Sequence, residues 1–284
     1  MIYLDNAATS FHKPDCVPRA VVEAMQHAGN SGRGSSGEAM AASRLIFNTR
    51  CQIAEMFDVW GPECVAFTSN DTEALNIALQ GTLHPEEGTI HAICTEMDHN
   101  SVLRPLYRLE KKGMKLTILP ADHKGRISLT ELEAAIRPET KVIVCTHASN
   151  LTGNLNDIHV IGEIAQKHQK LFIVDAAQTA GVFPISMKKD HIDILCFSGH
   201  KGLMGPQGTG AICVRPGVSV EPLKVGGSGV LTFQREHPQD MPETLEAGTL
   251  NSHGSQVLAQ HQLDYRNWNR TDPKKRAAAD VAFL

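Results

Sequence analysis

The chain has 284 residues, 42% of them hydrophobic and 20% charged, with a formal net charge of −4. That length permits one large domain or two modest ones around a sizeable core, in a composition ordinary for a soluble globular protein. The weak negative charge is no footprint for nucleic acid or a membrane surface, and 5% aromatic residues leave little for base stacking.

The N-terminus opens on an apolar, strand-like Ile2 to Leu4 without a basic region or cleavage site, so no signal peptide is expected. No run of about eighteen apolar residues marks a transmembrane helix. Amphipathic spacing predicts helices over residues 16–27 and 41–56. Strand and helix then alternate: strand 64–68, helix 72–83, strand 89–94, helix 101–112 and strand 115–119. A helix over 129–136 starts after Ser128 and carries Glu131 early, as helix starts do. Strand 142–146, helix 157–168 and strands 171–174, 194–197 and 210–214 complete the series. Such alternation predicts a mostly parallel sheet covered by helices on both faces, a three-layer α/β/α domain. Residues 225–251, rich in Gly, Pro and polar side chains, read as a long ordered functional loop. Residues 255–284 have weak periodicity and are assigned to no element. The seven cysteines form no CxxC, and several lie in apolar runs such as VIVC and AICV. They read as buried, reduced thiols of a cytoplasmic protein.

In an open parallel sheet, ligands bind beyond the carboxyl ends of the strands. Five predicted strand ends carry polar or ionisable groups there. Strand 171–174 runs into Asp175 and Gln178, and strand 194–197 into Ser198, His200 and Lys201. Strand 142–146 leads to His147 and Asn150, strand 89–94 to Asp98 and His99, and strand 64–68 to Ser69, Asp71 and Thr72. Lys201 sits among glycines in SGHKGLMGPQGTG. In a desolvated pocket its amine would be available for imine formation; a surface lysine in a turn is the plainer alternative. Asp175 could cap a helix, or pair with a pyridinium nitrogen so that the ring works as an electron sink. Metal binding is disfavoured, because no His/Asp/Glu spacing resembles a ligand set. The segment 68–73 precedes a helical pattern whose N-terminus suits a phosphate, although it also fits a simple N-cap. Within it, the Asp71 carboxylate would have to point away from a dianion. His99 could stack on a flat ring or transfer protons.

The motifs YLDNAAT (3–9), GNSGRGSS (29–36), FTSNDTEALN (67–76), EMDHNSV (96–102), ASNLTG (148–153), VDAAQTAG (174–181), FSGHKGLMGPQGTG (197–210) and EAGTLN (246–251) occur in this order. Together they resemble the class V aminotransferase group of fold-type I enzymes dependent on pyridoxal 5′-phosphate (PLP), most of all its cysteine desulfurases. The resemblance implies a seven-stranded sheet of the aspartate aminotransferase type. It implies Lys201 as the Schiff-base lysine, Asp175 as partner of the pyridine nitrogen and His99 stacked on the ring. Asn150 and Gln178 would contact the phenolic oxygen. Asp71 (through its backbone N–H only), Thr72, Ser198 and His200 would hold the phosphate, with Thr249 from the partner subunit of a homodimer. Asn6 and Ala7 would lie near the amino-acid substrate.

The implied reaction is carbon–sulfur cleavage of L-cysteine to alanine and enzyme-bound sulfur, passed to a possible acceptor protein. Selenocysteine lyase chemistry or another class V reaction shares the same cofactor site, and an inert PLP-binding fragment is a further alternative. The resemblance divides the chain into 1–14, an N-terminal segment of the small domain, 15–254, the large cofactor-binding domain, and 255–284. That last stretch departs from the family pattern, without its nucleophilic cysteine, and reads as the product of a frameshift or truncated gene model.

Overall fold

The computed structural model describes residues 3–29, 36–229, 233–255 and 258. Most of GNSGRGSS and nearly all of the 255–284 tail therefore lie outside the described residues. Helices α1 (Cys16–His27) and α2 (Gly37–Met56) come first. An alternating series follows: β1 (Val65–Thr68), α3 (Asp71–Thr82), β2 (His91–Thr95), α4 (Asn100–Glu110), β3 (Lys115–Leu119), α5 (Leu129–Ala134), β4 (Thr140–Thr146), α6 (Ile158–Lys167), β5 (Leu171–Asp175), β6 (Ile194–Ser198) and β7 (Gly210–Val214). A short helix, α7 (Ser252–Ser255), lies near the end of the described chain.

The strands form one sheet in the order β1-β7-β6-β5-β4-β2-β3. β7 is antiparallel to both its neighbours, and every other pairing is parallel. Six strands thus share one direction and bring their carboxyl ends to one edge. β2, β6 and β7 are buried along their whole length, whereas β3, at the sheet's edge, is exposed at Lys115 and Ile118. Burial on both faces explains why the central strands are nearly continuous apolar runs.

Two separate cores cover the two faces, which makes the expected three layers. One gathers Phe57, Phe172 and Phe197 under α2, α5 and α6. The other packs Leu75 and Leu79 of α3 and Leu106 of α4 on the opposite face. The helices start where side chains can cap them. Asn70 accepts from the Glu73 N–H at 2.9 Å before α3, while Glu73 reaches back to the Ser69 N–H at 2.6 Å, a reciprocal capping box. Ser128 caps α5 and Asp157 caps α6, each by accepting one N–H, from Glu131 and Val160, at 3.2 Å. α5 ends two residues sooner than its sequence pattern predicts, with Ala135 as its C-cap, the N–H of which still donates to the Glu131 carbonyl.

The long segment after β7 is coil, apart from a 3₁₀ turn at Glu243–Leu245. It is held at defined points rather than packed as an element. Gly248 donates to the Gly227 carbonyl at 2.8 Å, and Glu246 forms a buried ion pair with Arg50 of α2 at 2.6 Å.

Candidate active site

A cavity of about 420 Å³ opens at the carboxyl edge of the sheet. Asp71 and Thr72 from the start of α3, His99 from the N-cap of α4, Asn150 beyond β4, Asp175 and Gln178 at β5, and Ser198, His200 and Lys201 at β6 line it together. Residues as much as 130 positions apart in sequence (71 and 201) converge there because parallel strands share one end. A larger cavity of about 480 Å³ sits at the opposite edge of the sheet, near Lys141, Lys170 and Arg215. Two of its cations are already engaged, Arg215 by Asp193 at 2.5 Å and Lys170 by the Pro138 carbonyl at 3.2 Å.

Lys201 is half-buried, and its amine makes no side-chain hydrogen bond or ion pair among the described residues. Asp175 is buried at 2% exposure and accepts the Ala177 N–H at 2.8 Å. Burial pushes its carboxyl up, while that N–H, Lys201, His99 and a hydrogen bond from Asp71 pull it back. Ser198 Oγ accepts the Asp71 N–H at 3.0 Å, which ties the end of β6 to the start of α3. Gly210 makes this approach possible. A Cβ there would stand 2.9 Å from the Asn70 carbonyl carbon and 2.8 Å from the Phe197 oxygen.

The remaining predicted residues are held by short bonds. Thr72 Oγ1 lies 2.8 Å from Ser101 Oγ, and His99 Nδ1 accepts the Ser101 N–H at 3.2 Å. His200 Nδ1 lies 2.9 Å from Thr9 Oγ1, and burial lowers its pKa, so the ring is neutral. Gln178 donates to the Ala7 carbonyl at 3.2 Å. The N-terminal segment is thereby pinned across the cavity mouth, where Asp5, Ala7 and Ala8 join the lining. Lys13 adds a second anchor, donating to the Gly205 carbonyl at 2.6 Å.

Asn6 stands beside the cavity, where its Oδ1 accepts the Phe11 N–H at 3.2 Å. Thr249, expected to act from the partner subunit, is exposed and lies outside this chain's own cavity. Asp71 is 5% exposed and forms part of the cavity wall.

Sequence reading missed Ser101, although EMDHNS placed it two residues beyond His99. It also gave Asp98 no specific part. Asp98 takes the Thr95 N–H at 2.7 Å and the Thr146 N–H at 2.5 Å, and so clamps the ends of β2 and β4 beneath His99. No group of His, Cys, Asp and Glu able to hold a metal ion occurs among the described residues. None of the seven cysteines lines the cavity.

Residues 2–278 match the family model described as aminotransferase class-V, a match that continues past Gly254. A probable cysteine desulfurase of Methanothermobacter thermautotrophicus is 33% identical over 271 residues, covering 94% of this chain and 66% of that protein. The putative cysteine desulfurase IscS 1 of Bacillus subtilis is 36% identical over 230 residues, covering 80% of this chain and 59% of that protein. The chain thus spans about three fifths to two thirds of the curated relatives it matches. Among solved structures, the apo cysteine desulfurase of Thermococcus onnurineus NA1 superposes with a TM-score of 0.87 at 33% identity, covering 94% of this chain and 67% of that one. SspA in complex with cysteine gives 0.83 at 28% identity, covering 93% and 72%.

Proposed function

The chain belongs to the class V aminotransferase family, and from that premise we propose that its cavity holds PLP and acts on L-cysteine. The residues present fit the cofactor. An amine at Lys201 that makes no side-chain bond among the described residues, a buried carboxyl at Asp175, and Thr72 at the start of α3 with Ser198 supply a carbonyl-reactive group, a pyridinium partner and a phosphate seat in one space. Their coincidence carries the reading. Bound there, the cofactor would serve as an electron sink that weakens bonds at the substrate's α- and β-carbons.

Each residue then has a task. Asp175 would pair with the ring nitrogen, and Thr72 at the start of α3 and Ser198 would hold the phosphate beside His200, which Thr9 fixes. His99 would cover one face of the ring, and Asn150 and Gln178 would reach the phenolic oxygen. Lys201 would supply the amine that moves a proton at the substrate's α-carbon. The N-terminal segment, pinned by Gln178 and Lys13, limits access of water from one side.

Sulfur leaves cysteine when a thiolate attacks it; the carbon–sulfur bond breaks, the thiol becomes a persulfide, and the β-carbon gains a proton to give alanine. Five of the chain's own cysteines are buried, and burial pushes the Cys94, Cys145, Cys196 and Cys213 thiols well up. None of the seven lines the cavity, so in this reading the accepting thiol is not one of them. The lack of a cysteine at the cavity favours, as a second reading, a class V reaction that needs no enzyme thiol, such as transamination. A cytoplasmic homodimer, with Thr249 contributed across the subunit boundary, completes the proposal. Seven free cysteines support a reducing location, and no described helix is long and apolar enough to cross a membrane. Titration with PLP followed by absorbance, then assays for alanine and sulfide from L-cysteine with an added thiol, tests it. An imine band with no alanine or sulfide would move the activity to the second reading, and no band would end both.

A further inference from the structure

Lys201 is carried by a loop that the N-terminal segment grips on both sides of it. Residues 199–205 close on themselves, the Gly205 N–H donating to the Gly199 carbonyl at 2.7 Å and the Met204 N–H to the Lys201 carbonyl at 2.8 Å. Met204 keeps a left-handed backbone, φ 54°, which a residue with a Cβ holds only where its surroundings fix it. On its inner side the loop presses on the chain beyond β5: a Cβ at Gly202 would stand 2.6 Å from the Ala180 carbonyl oxygen. The Lys201 side chain makes no hydrogen bond or ion pair among the described residues, so the backbone that carries it is what aims its amine.

Thr9, Ser10 and Lys13 meet the loop from its outer side. The carbonyl of His200, one residue before Lys201, accepts the Ser10 N–H at 3.1 Å and the Ser10 hydroxyl at 2.9 Å. Thr9 Oγ1 stands 3.3 Å from the same carbonyl oxygen and 2.9 Å from His200 Nδ1. The carbonyl of Gly205, at the far end of the loop, accepts the Lys13 ammonium at 2.6 Å. The other hydrogens of that ammonium go to the Ser10 carbonyl at 3.2 Å and to Ser10 Oγ at 3.1 Å. An ammonium donates and never accepts, so Ser10 Oγ is the acceptor from Lys13 and its own hydrogen is left for His200. Ser10 is 8% exposed and Lys13 is half-buried, which limits competition from water. Gln178 already ties the segment down at Ala7, whereas the bonds from Ser10 and Lys13 end on carbonyls either side of Lys201.

We propose that Ser10 and Lys13 are positioning residues for Lys201, a clasp on the His200 and Gly205 carbonyls that holds the loop where its amine meets a bound aldehyde. The inference rests on the PLP reading above and adds to it residues outside the cavity wall, since neither Ser10 nor Lys13 lines the cavity. In the step concerned, the Lys201 nitrogen bonds the aldehyde carbon, and the aldehyde oxygen leaves as water with both amine hydrogens. Such a step needs a near-attack geometry, and a misplacement of about 1 Å can cost about a hundredfold in rate. Loosening the clasp frees the loop but leaves Asp175, Thr72 and Ser198 where they are.

The test uses the full chain as wild type, Lys13→Met and Ser10→Ala, with two ligands. PLP carries the aldehyde; pyridoxine 5′-phosphate carries an alcohol in its place and forms no imine. At saturating PLP, the imine band should appear at least about tenfold more slowly in each variant than in wild type. The dissociation constant for pyridoxine 5′-phosphate should stay within about twofold of wild type, because nothing that seats the ring has moved. An unchanged rate of imine formation overturns the clasp. So does an equal loss of affinity for pyridoxine 5′-phosphate, the mark of general damage to the cavity. Should one variant fail to fold by circular dichroism, the other decides. The clasp is also read without ligand: hydrogen exchange at the Met204 and Gly205 amides should quicken about tenfold in Lys13→Met, and unchanged exchange overturns it. Failure of wild type to bind either ligand overturns the cofactor reading instead.

Discussion

Replacing Glu246 by Ala should destabilise the protein far more than loss of one loop side chain suggests. Both Glu246 oxygens are engaged by Arg50, at 2.8 and 2.6 Å, and Oε1 also accepts the Phe67 N–H at 2.6 Å. The two side chains are only 9% and 6% exposed. Arg50 also donates to the Val65 carbonyl and lies 4.7 Å from the centre of the Phe67 ring. Breaking a buried pair leaves an uncompensated charge, at a cost of about 3–5 kcal/mol, well above the ~1 kcal/mol ceiling of exposed pairs. At the 2–4 °C per kcal/mol typical of chains somewhat shorter than this, the melting temperature should drop by about 10 °C. Thermal and urea unfolding of Glu246→Ala, Arg50→Met and the Arg50→Met/Glu246→Leu double variant measure the effect. The double variant should lose much less than the sum of the single ones, because it removes the buried charge along with its partner. A loss under about 1 kcal/mol in Glu246→Ala, or simple additivity, would refute the buried pair as the anchor of the 243–251 segment.

Lys201→Ala should abolish the PLP adduct trapped by borohydride while leaving the fold intact by circular dichroism; survival of the adduct would place the reactive amine elsewhere. Burial pushes the Asp98 carboxyl up to about 7 against the Thr95 and Thr146 N–H groups. An unfolded Asp titrates near about 3.9, so the native state holds an extra proton between the two values. Stability from this group is full below about pH 4 and declines as pH rises through about 7, by up to about 1.4 kcal/mol per unit. Urea unfolding across that window should show a shallower decline in Asp98→Asn, and an unchanged slope would contradict this. Gly162→Ala places a Cβ 2.0 Å from the Asp190 carbonyl oxygen where α6 meets the loop before β6. It should cost about 1–3 kcal/mol of stability with unchanged PLP affinity, and a change in affinity alone would argue against pure overpacking.

Much of this molecule could be read from its residues in order. All seven strands and the six longer helices stand where runs of apolar β-branched residues and helical spacing put them, from Lys115–Leu119 and Gly210–Val214, which match their predicted bounds, to α5, which ends early. Those patterns are local: a strand buried on both faces must be apolar throughout, and a helix needs a cap and a stripe. The same logic put Asp175, Ser198 and Lys201 at strand ends, and a parallel sheet has only one edge at which such ends can meet. Which strands are neighbours is not a local property. The reversal of β7 between β1 and β6 draws Gly210 against Asn70 and so seats the start of α3 on the end of β6. The turn of Asn6 toward Phe11, the burial of Arg50 against Glu246 and the inward Asp71 carboxyl likewise depend on partners at least five and as many as 196 positions away. Only packing of the finished chain settles whether a carboxyl at a helix start meets water or another carboxyl, because the cost of burying charge is set by everything around it.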